Sequence, residues 1–254
     1  MSDYEVIWDD SKIIPTLKQE ICEKLGEEAW RLLIDGIDVP DHEIEGTLGC
    51  RNMRVIIERL EKIADASTIK GILMRVQHGF PHKPIHGASR EFMDCGCNID
   101  AYLARRKELF LKELLQHNAE GTQYWGDCVT DEVLDFFLHT EGALVPVRKG
   151  SELHIARHPY DMNSYFSETD ARRKRFHYCH CLFARTSILS DEGTVSRTMC
   201  SCSLGLILSS WEEILGVRLD GEVIQSVLGG DSLCRFIIHL PKEIMAKTIE
   251  GART

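Results

Sequence analysis

Apolar residues recur every three or four positions through the first half of the chain. From Pro15 to about Ile37, the residues Ile21, Leu25, Ala29, Leu32 and Leu33 fall at helical spacing with charges between them, predicting one helix. Met53, Ile56, Ile57, Leu60 and Ile63 predict a second helix after Gly49. A third covers "STIKGILMRVQHG", with Ser67 as its N-cap and Gly79 as its stop. Periodicity then fails in "GFPHKPIHGASREFMDCGC", where Gly79, Pro81, Pro84 and Gly87 predict a long ordered loop. Helical spacing resumes in "NIDAYLARRKELFLKELLQH", opened by Asn98 or Asp100, and in "TDEVLDFFLHT", capped by Thr130.

Beyond residue 140 the period shortens. "GALVPVRKGSELHIARHP" alternates like a hairpin turning at Lys149-Gly150. A helix is expected around "SYFSETDARRKR", and an apolar helix, "SLGLILSSWEEILG", is expected to stop at Gly216. The segment "GEVIQSVLGGDSLCRFIIHLP" reads as a closing hairpin with its turn near Gly229-Gly230-Asp231. The expected class is α+β: a helical N-terminal half, residues 1–140, followed by an antiparallel-sheet, α/β sandwich-like region over residues 141–254. No internal repeat or low-complexity segment breaks this plan.

Composition narrows the partners. A chain of 254 residues with 43% apolar and 28% charged residues can bury a sizeable core. Its formal charge of -10 argues against sequence-independent binding to nucleic acid, which depends on clustered Lys and Arg. The opening "MSDYEVIWDD" lacks a basic and an apolar segment of the kind that directs secretion, and no apolar run approaches the ~20 residues needed to cross a bilayer. A cytoplasmic location is therefore expected, with no membrane partner and with thiols kept reduced. A homodimer is left open.

Ten cysteines then need a purpose other than disulfides. Four lie in two Cys-x-Cys pairs, Cys179/Cys181 and Cys200/Cys202. On an extended backbone, residues i and i+2 share a face, so two such pairs can offer four thiolates to zinc or hold an iron–sulfur cluster. By the same parity His177 falls on the cysteine face and His180 opposite it; both are further candidate ligands, as is Cys234 from the last hairpin. A reactive thiol and plain core packing are the competing readings, since cysteine often behaves as a small buried hydrophobe.

A second constellation, His78, His82, His86, Cys95 and Cys97, sits in the proline-broken loop and reads as a solvated surface segment or as a lid over a ligand pocket. Just before the first cysteine pair, the run Arg172, Arg173, Lys174 and Arg175 reads as a solvated face or an anion-binding patch. Arg172 and Arg175 are its candidate ligand contacts. The GxGxxG and GxxxxGK[ST] phosphate loops, the HExxH zinc motif and the GxSxG elbow are absent.

The stretch "SLGLILSSWEEILGVRLDGEVIQSVLGGDSLCRFIIHLP" carries Gly205, Gly216, Gly230, Asp231, Cys234 and Phe236, including a Gly-Asp-x-x-Cys-x-Phe turn. In these positions, about residues 200 to 241, the chain resembles the end of the 4-vinyl reductase-like domain family. The resemblance implies a small-molecule-binding module whose cysteines serve as metal ligands, with Cys234 and a partner from the 179–202 cluster sharing a site. Taken together, these readings describe a zinc-binding protein that binds or senses a small molecule. The alternative is a hydrolase in which a thiolate activated by His177 or His180, or a metal-bound water, attacks a carbon–nitrogen or carbon–sulfur bond. In a third reading, the chain is a helical interaction protein with incidental cysteines.

Overall fold

The computed structural model describes residues 12–37, 47–76 and 87–251. The class is α+β, with helices dominating and strands confined to two small antiparallel sheets. Tertiary contacts group the chain into two units, Met1–Lys83 with Cys181–Ile207, and Pro84–His180 with Leu208–Thr254. The boundary expected at residue 140 falls inside the second unit. Chain order misleads here because a segment far along the sequence packs with the first helices.

In the first unit, α1 (Ile13–Leu25) and α2 (Glu27–Ile34) take the place of the single helix expected from Pro15 to Ile37. Gly26 separates them with φ 88° and ψ 160°, a conformation that glycine reaches without a steric penalty. Their apolar stripes continue across the break, so Ile14, Leu17, Ile21, Trp30 and Leu33 are all buried. The next two helices are α3 (Thr47–Ile63) and α4 (Ala66–Val76). The cap of α4 is Asp65, whose Oδ1 accepts from the Thr68 amide at 3.0 Å, and not Ser67. Downstream, α10 (Leu182–Ile188) packs on α3, and a 3₁₀ turn at Arg197–Cys200 meets α4.

The second unit begins with a correction: part of the expected loop is helical, α5 (Ala88–Asp94). Next comes α6 (Ile99–Glu120), opened by Asn98, whose side chain accepts from the amides of Asp100 and Ala101. A two-stranded ribbon, β1 (Gln123–Tyr124) and β2 (Asp127–Cys128), follows in a region expected to be mainly helical. α7 (Asp131–His139) is capped by Thr130, as expected.

The main sheet has the order β3-β4-β6-β5, formed by β3 (Val147–Lys149), β4 (Glu152–Ala156), β5 (Asp220–Gln225) and β6 (Arg235–His239). Every pairing is antiparallel, and Leu153 opposes Ile238 while Ile155 opposes Phe236. Leu153, Phe236 and Ile238 are buried, as period-two alternation requires of the core face. Both expected turns form, with Gly150 at φ 61° and Gly230 at φ 101°.

The helix expected around "SYFSETDARRKR" is two helices, α8 (Met162–Ser167) and α9 (Ala171–Tyr178), capped by Asp161 and Asp170. α11 (Ser201–Leu215) ends at Gly216, as expected, and α12 (Lys242–Gly251) closes the described chain. No helix among the described residues is long and apolar enough to cross a membrane.

Candidate ligand site around Arg157

The residues that leave β4 carry the densest chemistry in the second unit: Arg157, His158, Pro159 and Tyr160 follow its last residue, Ala156. The β4–β6 ladder runs to the pair Ala156–Arg235, and the Arg157 amide extends it by donating to the Cys234 carbonyl at 3.0 Å. Directly opposed residues of an antiparallel pair present their side chains on one face, so the Arg157 guanidinium and the Cys234 sulfur share a side of the sheet end. The two groups are near enough to interact electrostatically.

Three elements complete the surround. The C-terminal end of α9 supplies Tyr178, whose hydroxyl donates to the Arg157 carbonyl. The short connection from α9 to α10 supplies His180. Its Nδ1 lies 2.9 Å from Arg157 Nη2 and its Nε2 lies 2.8 Å from the His158 carbonyl. A guanidinium only donates and a carbonyl only accepts, so these contacts assign His180 the neutral Nε2–H tautomer. The β1–β2 turn supplies Trp125, whose ring stacks on His158 with centroids 5.0 Å apart and planes 12° apart.

Trp125 is unusual in its backbone. It has φ 53°, followed by Gly126 at φ 88°, so both central turn positions are left-handed. Asn or Gly takes such a position at low cost, whereas a bulky side chain is strained there by ~1 kcal/mol or more. The indole is nonetheless 51% exposed, so burial of the ring does not account for its presence. Tyr160, also exposed, packs edge-on against His180 with centroids 5.6 Å apart.

The electrostatics follow from burial. Dense surroundings and the neighbouring Arg157 charge hold His158 down to a pKa of about 4, neutral at physiological pH. Its Nδ1 lies 2.8 Å from the Pro159 carbonyl and must carry the hydrogen, which leaves a lone pair on Nε2. Burial pushes the Tyr178 hydroxyl far above the usual phenol range, so it remains protonated. Arg157 is shifted downward by desolvation, and no described carboxylate offsets it. Its described polar partners are the neutral His180, the Cys234 and Tyr178 groups, and backbone. Arg157, His158, His180 and Cys234 each keep partial solvent exposure. The arrangement offers a cation, an imidazole lone pair, a thiol and two aromatic rings to a molecule entering from solvent.

The residues singled out from sequence are distributed differently. Among the described residues, which include all ten cysteines, no disulfide forms. Cys179 and Cys181 both have extended backbone, φ/ψ -72°/124° and -82°/114°, so the shared-face argument applies to that pair. It does not apply to Cys200 and Cys202, which end the 3₁₀ turn and begin α11. Cys179, Cys181 and Cys202 are buried, and Cys200 is partly so. Among the described residues no group of three or more His, Cys, Asp or Glu side chains is arranged to hold a metal ion.

His177 lies within α9, so strand parity does not place it on the cysteine face; its Nδ1 sits 3.3 Å from Asp161 Oδ2. Arg175 reaches the β5–β6 connection, its Nη1 donating to the Val227 carbonyl at 3.3 Å, whereas Arg172 is exposed on the first turn of α9. His78, His82 and His86 lie outside the described residues. Arg157, His158 and Trp125 had escaped notice in the sequence. The alternation of "ELHIARH" marks the strand that delivers the first two, and Trp-Gly between "TQY" and "DCV" is the turn signal for the third.

No protein-family model, curated protein or solved structure matches the chain.

Proposed function

We propose that this protein binds or senses a small anionic molecule, a carboxylate or a phosphate, through Arg157 in its second unit. The observation that carries this reading is a desolvated guanidinium with no described carboxylate beside it. Removing such a charge from water costs several kcal/mol unless an anion compensates it. A guanidinium has five N–H donors and His180 accepts one, so donors remain for a bidentate oxyanion. Trp125, His158 and Tyr160 add aromatic surface for an apolar or planar portion of the ligand. This reading agrees with the small-molecule-binding module implied by the 4-vinyl reductase-like resemblance, whose turn contributes Cys234.

The test is a thermal-shift screen of small carboxylates and phosphates on the full chain, followed by calorimetry of any stabilising compound. Arg157→Gln, confirmed as folded by circular dichroism, should weaken binding at least ~30-fold, the equivalent of ~2 kcal/mol. A panel that leaves the melting temperature unmoved sinks the reading, and so does a ligand that binds Arg157→Gln as well as the parent.

A second reading is zinc held through the extended pair Cys179 and Cys181, whose backbone geometry favours it, tested with the variant in which Cys179, Cys181, Cys200 and Cys202 are all serine. Elemental analysis of protein purified without chelator decides it. Near-stoichiometric metal that disappears in the four-serine variant supports zinc or an iron–sulfur cluster, according to the element found. Metal-free parent protein ends the proposal.

A further inference from the structure

In the second unit, the segment that joins α7 to β3 forms one wall of a cavity against α6. Two fixed points hold that wall. Gly142, at φ 83°, lies so close to β4 that a Cβ there would stand 2.7 Å from the His154 carbonyl oxygen. Its own carbonyl accepts from the Ala156 amide at 3.0 Å. At the other end of the segment, Arg148 grips the Asp100 carboxylate in the first turn of α6, with Nε and Nη2 each donating at 2.6 Å. The cavity between has a volume of about 480 Å³, inside the ~300–1,000 Å³ range of small-molecule sites. Its lining includes the buried Leu103 and Phe137 and the half-buried Leu144, Val145 and Pro146. Leu138 also lines it and is exposed, so apolar surface there is left to water.

The charges around the cavity are paired except at one position. Asp100 neutralises Arg148, and Glu141 has Lys149 at 2.5 Å. Lys107 is exposed, lines the cavity and forms no ion pair among the described residues. The residues one helical turn from it, Leu103, Ala104, Phe110 and Leu111, are apolar, so α6 offers it no carboxylate. An apolar cavity bearing one uncompensated cation complements an apolar body with one negative charge. We infer that this cavity binds an amphipathic monocarboxylate, its apolar chain against Leu103, Phe137 and Leu144 and its carboxylate beside the Lys107 ammonium. The site goes beyond the anion reading, since Arg157 is not part of its lining. The two sites border each other at Phe137, whose ring centroid lies 6.0 Å from that of His158.

The experiment is equilibrium dialysis of the full chain against octanoate, hexanoate and octylammonium. Octanoate should bind one-to-one. Each buried CH₂ is worth ~4-fold in affinity, so hexanoate should bind at least ~10-fold more weakly. Octylammonium should bind at least ~3-fold more weakly than octanoate, and Lys107→Gln should weaken octanoate ~3-fold, the modest scale of an exposed ion pair. Ala104 is exposed on α6 and lines the cavity, so Ala104→Phe puts a ring into that space and should weaken octanoate at least ~10-fold. Arg157→Gln should leave octanoate binding unchanged. Absence of octanoate binding, equal affinity for hexanoate, or tighter binding of octylammonium overturns the inference on the parent protein alone, whatever the variants do. Undiminished binding in Lys107→Gln overturns the role given to the ammonium, and undiminished binding in folded Ala104→Phe overturns the site. If affinity is lost in Arg157→Gln instead, octanoate occupies the anion site: that reading stands and this one falls.

Discussion

Gly205 provides a stringent test of the packing, because helix propensity and tertiary structure call for opposite signs. It lies inside α11, where replacing glycine by alanine ordinarily gains ~1 kcal/mol through reduced backbone entropy in the unfolded chain. In this fold a Cβ at residue 205 would stand 1.9 Å from the Met74 carbonyl oxygen and 2.6 Å from its carbonyl carbon and Cα. These are backbone atoms of α4, so no side-chain rotation relieves the overlap; the helices must separate or one must bend. Overpacking of a close-packed core costs ~1–3 kcal/mol where side chains can yield, and a backbone obstacle puts Gly205→Ala at the upper end or beyond. The net expectation is a loss of ~2 kcal/mol or more even after the propensity gain. At ~2–4 °C per kcal/mol, the melting temperature should fall by at least ~4 °C. Gly71→Ala is the matched control: it is also helical, in α4, and its added Cβ would meet only the end of the Lys24 side chain at 4.0 Å. That variant should be stabilised by ~0.5–1 kcal/mol. The assay is urea and thermal unfolding of both full-length variants beside the parent. A Gly205→Ala protein as stable as Gly71→Ala would refute the close approach of α4 and α11.

Other expectations follow from the second unit. The pKa of His158 falls from 6.5 to about 4 on folding, so between these values the unfolded chain binds a proton that the native state rejects. Its contribution is therefore present above pH ~6.5 and is lost as pH falls toward 4, by up to ~3 kcal/mol at ~1.4 kcal/mol per unit. His158→Phe should flatten the stability profile over that window, and an unchanged slope would contradict the burial. Asn98 caps α6, and its Nδ2 also donates to the Thr248 carbonyl at 3.1 Å. Asn98→Ala should cost ~1–3 kcal/mol, more than a cap alone, as read by chemical denaturation. Trp125→Asn should relieve backbone strain of ~1 kcal/mol while weakening capture of the ligand identified by the screen. Equal affinity in calorimetry would remove Trp125 from the site.

Much of the fold is local and was legible. The 3.6 period located α3, α6, α7 and α11, while Asn98 and Thr130 announced their helices by offering a side-chain acceptor to unpaired amides. Gly150, Gly216 and Gly230 marked turns and a stop because a left-handed backbone there favours a residue without a Cβ. The misses share one cause, a backbone path that neighbours a few residues away do not determine. Gly26 interrupts a stripe whose periodicity survives the break. His177 was placed by strand parity in a segment that is helical. Residues 123–128 carry too few alternating positions to outweigh the helical signal on either side.

The sequence by itself determined the α+β class, most helices, both sheet turns and the clustering along the chain of Cys179, Cys181, Cys200, Cys202 and Cys234. Tertiary structure alone decided which of these groups meet. Residues 125, 157, 180 and 234 come from a two-residue turn, a strand exit, a helix connection and a hairpin, at separations far beyond the reach of any helical or strand period. Such an assembly arises from the register of β4 against β6 and the packing of α9 beside the β5–β6 connection. Those arrangements are fixed by the burial of many side chains at once, so no short pattern records them.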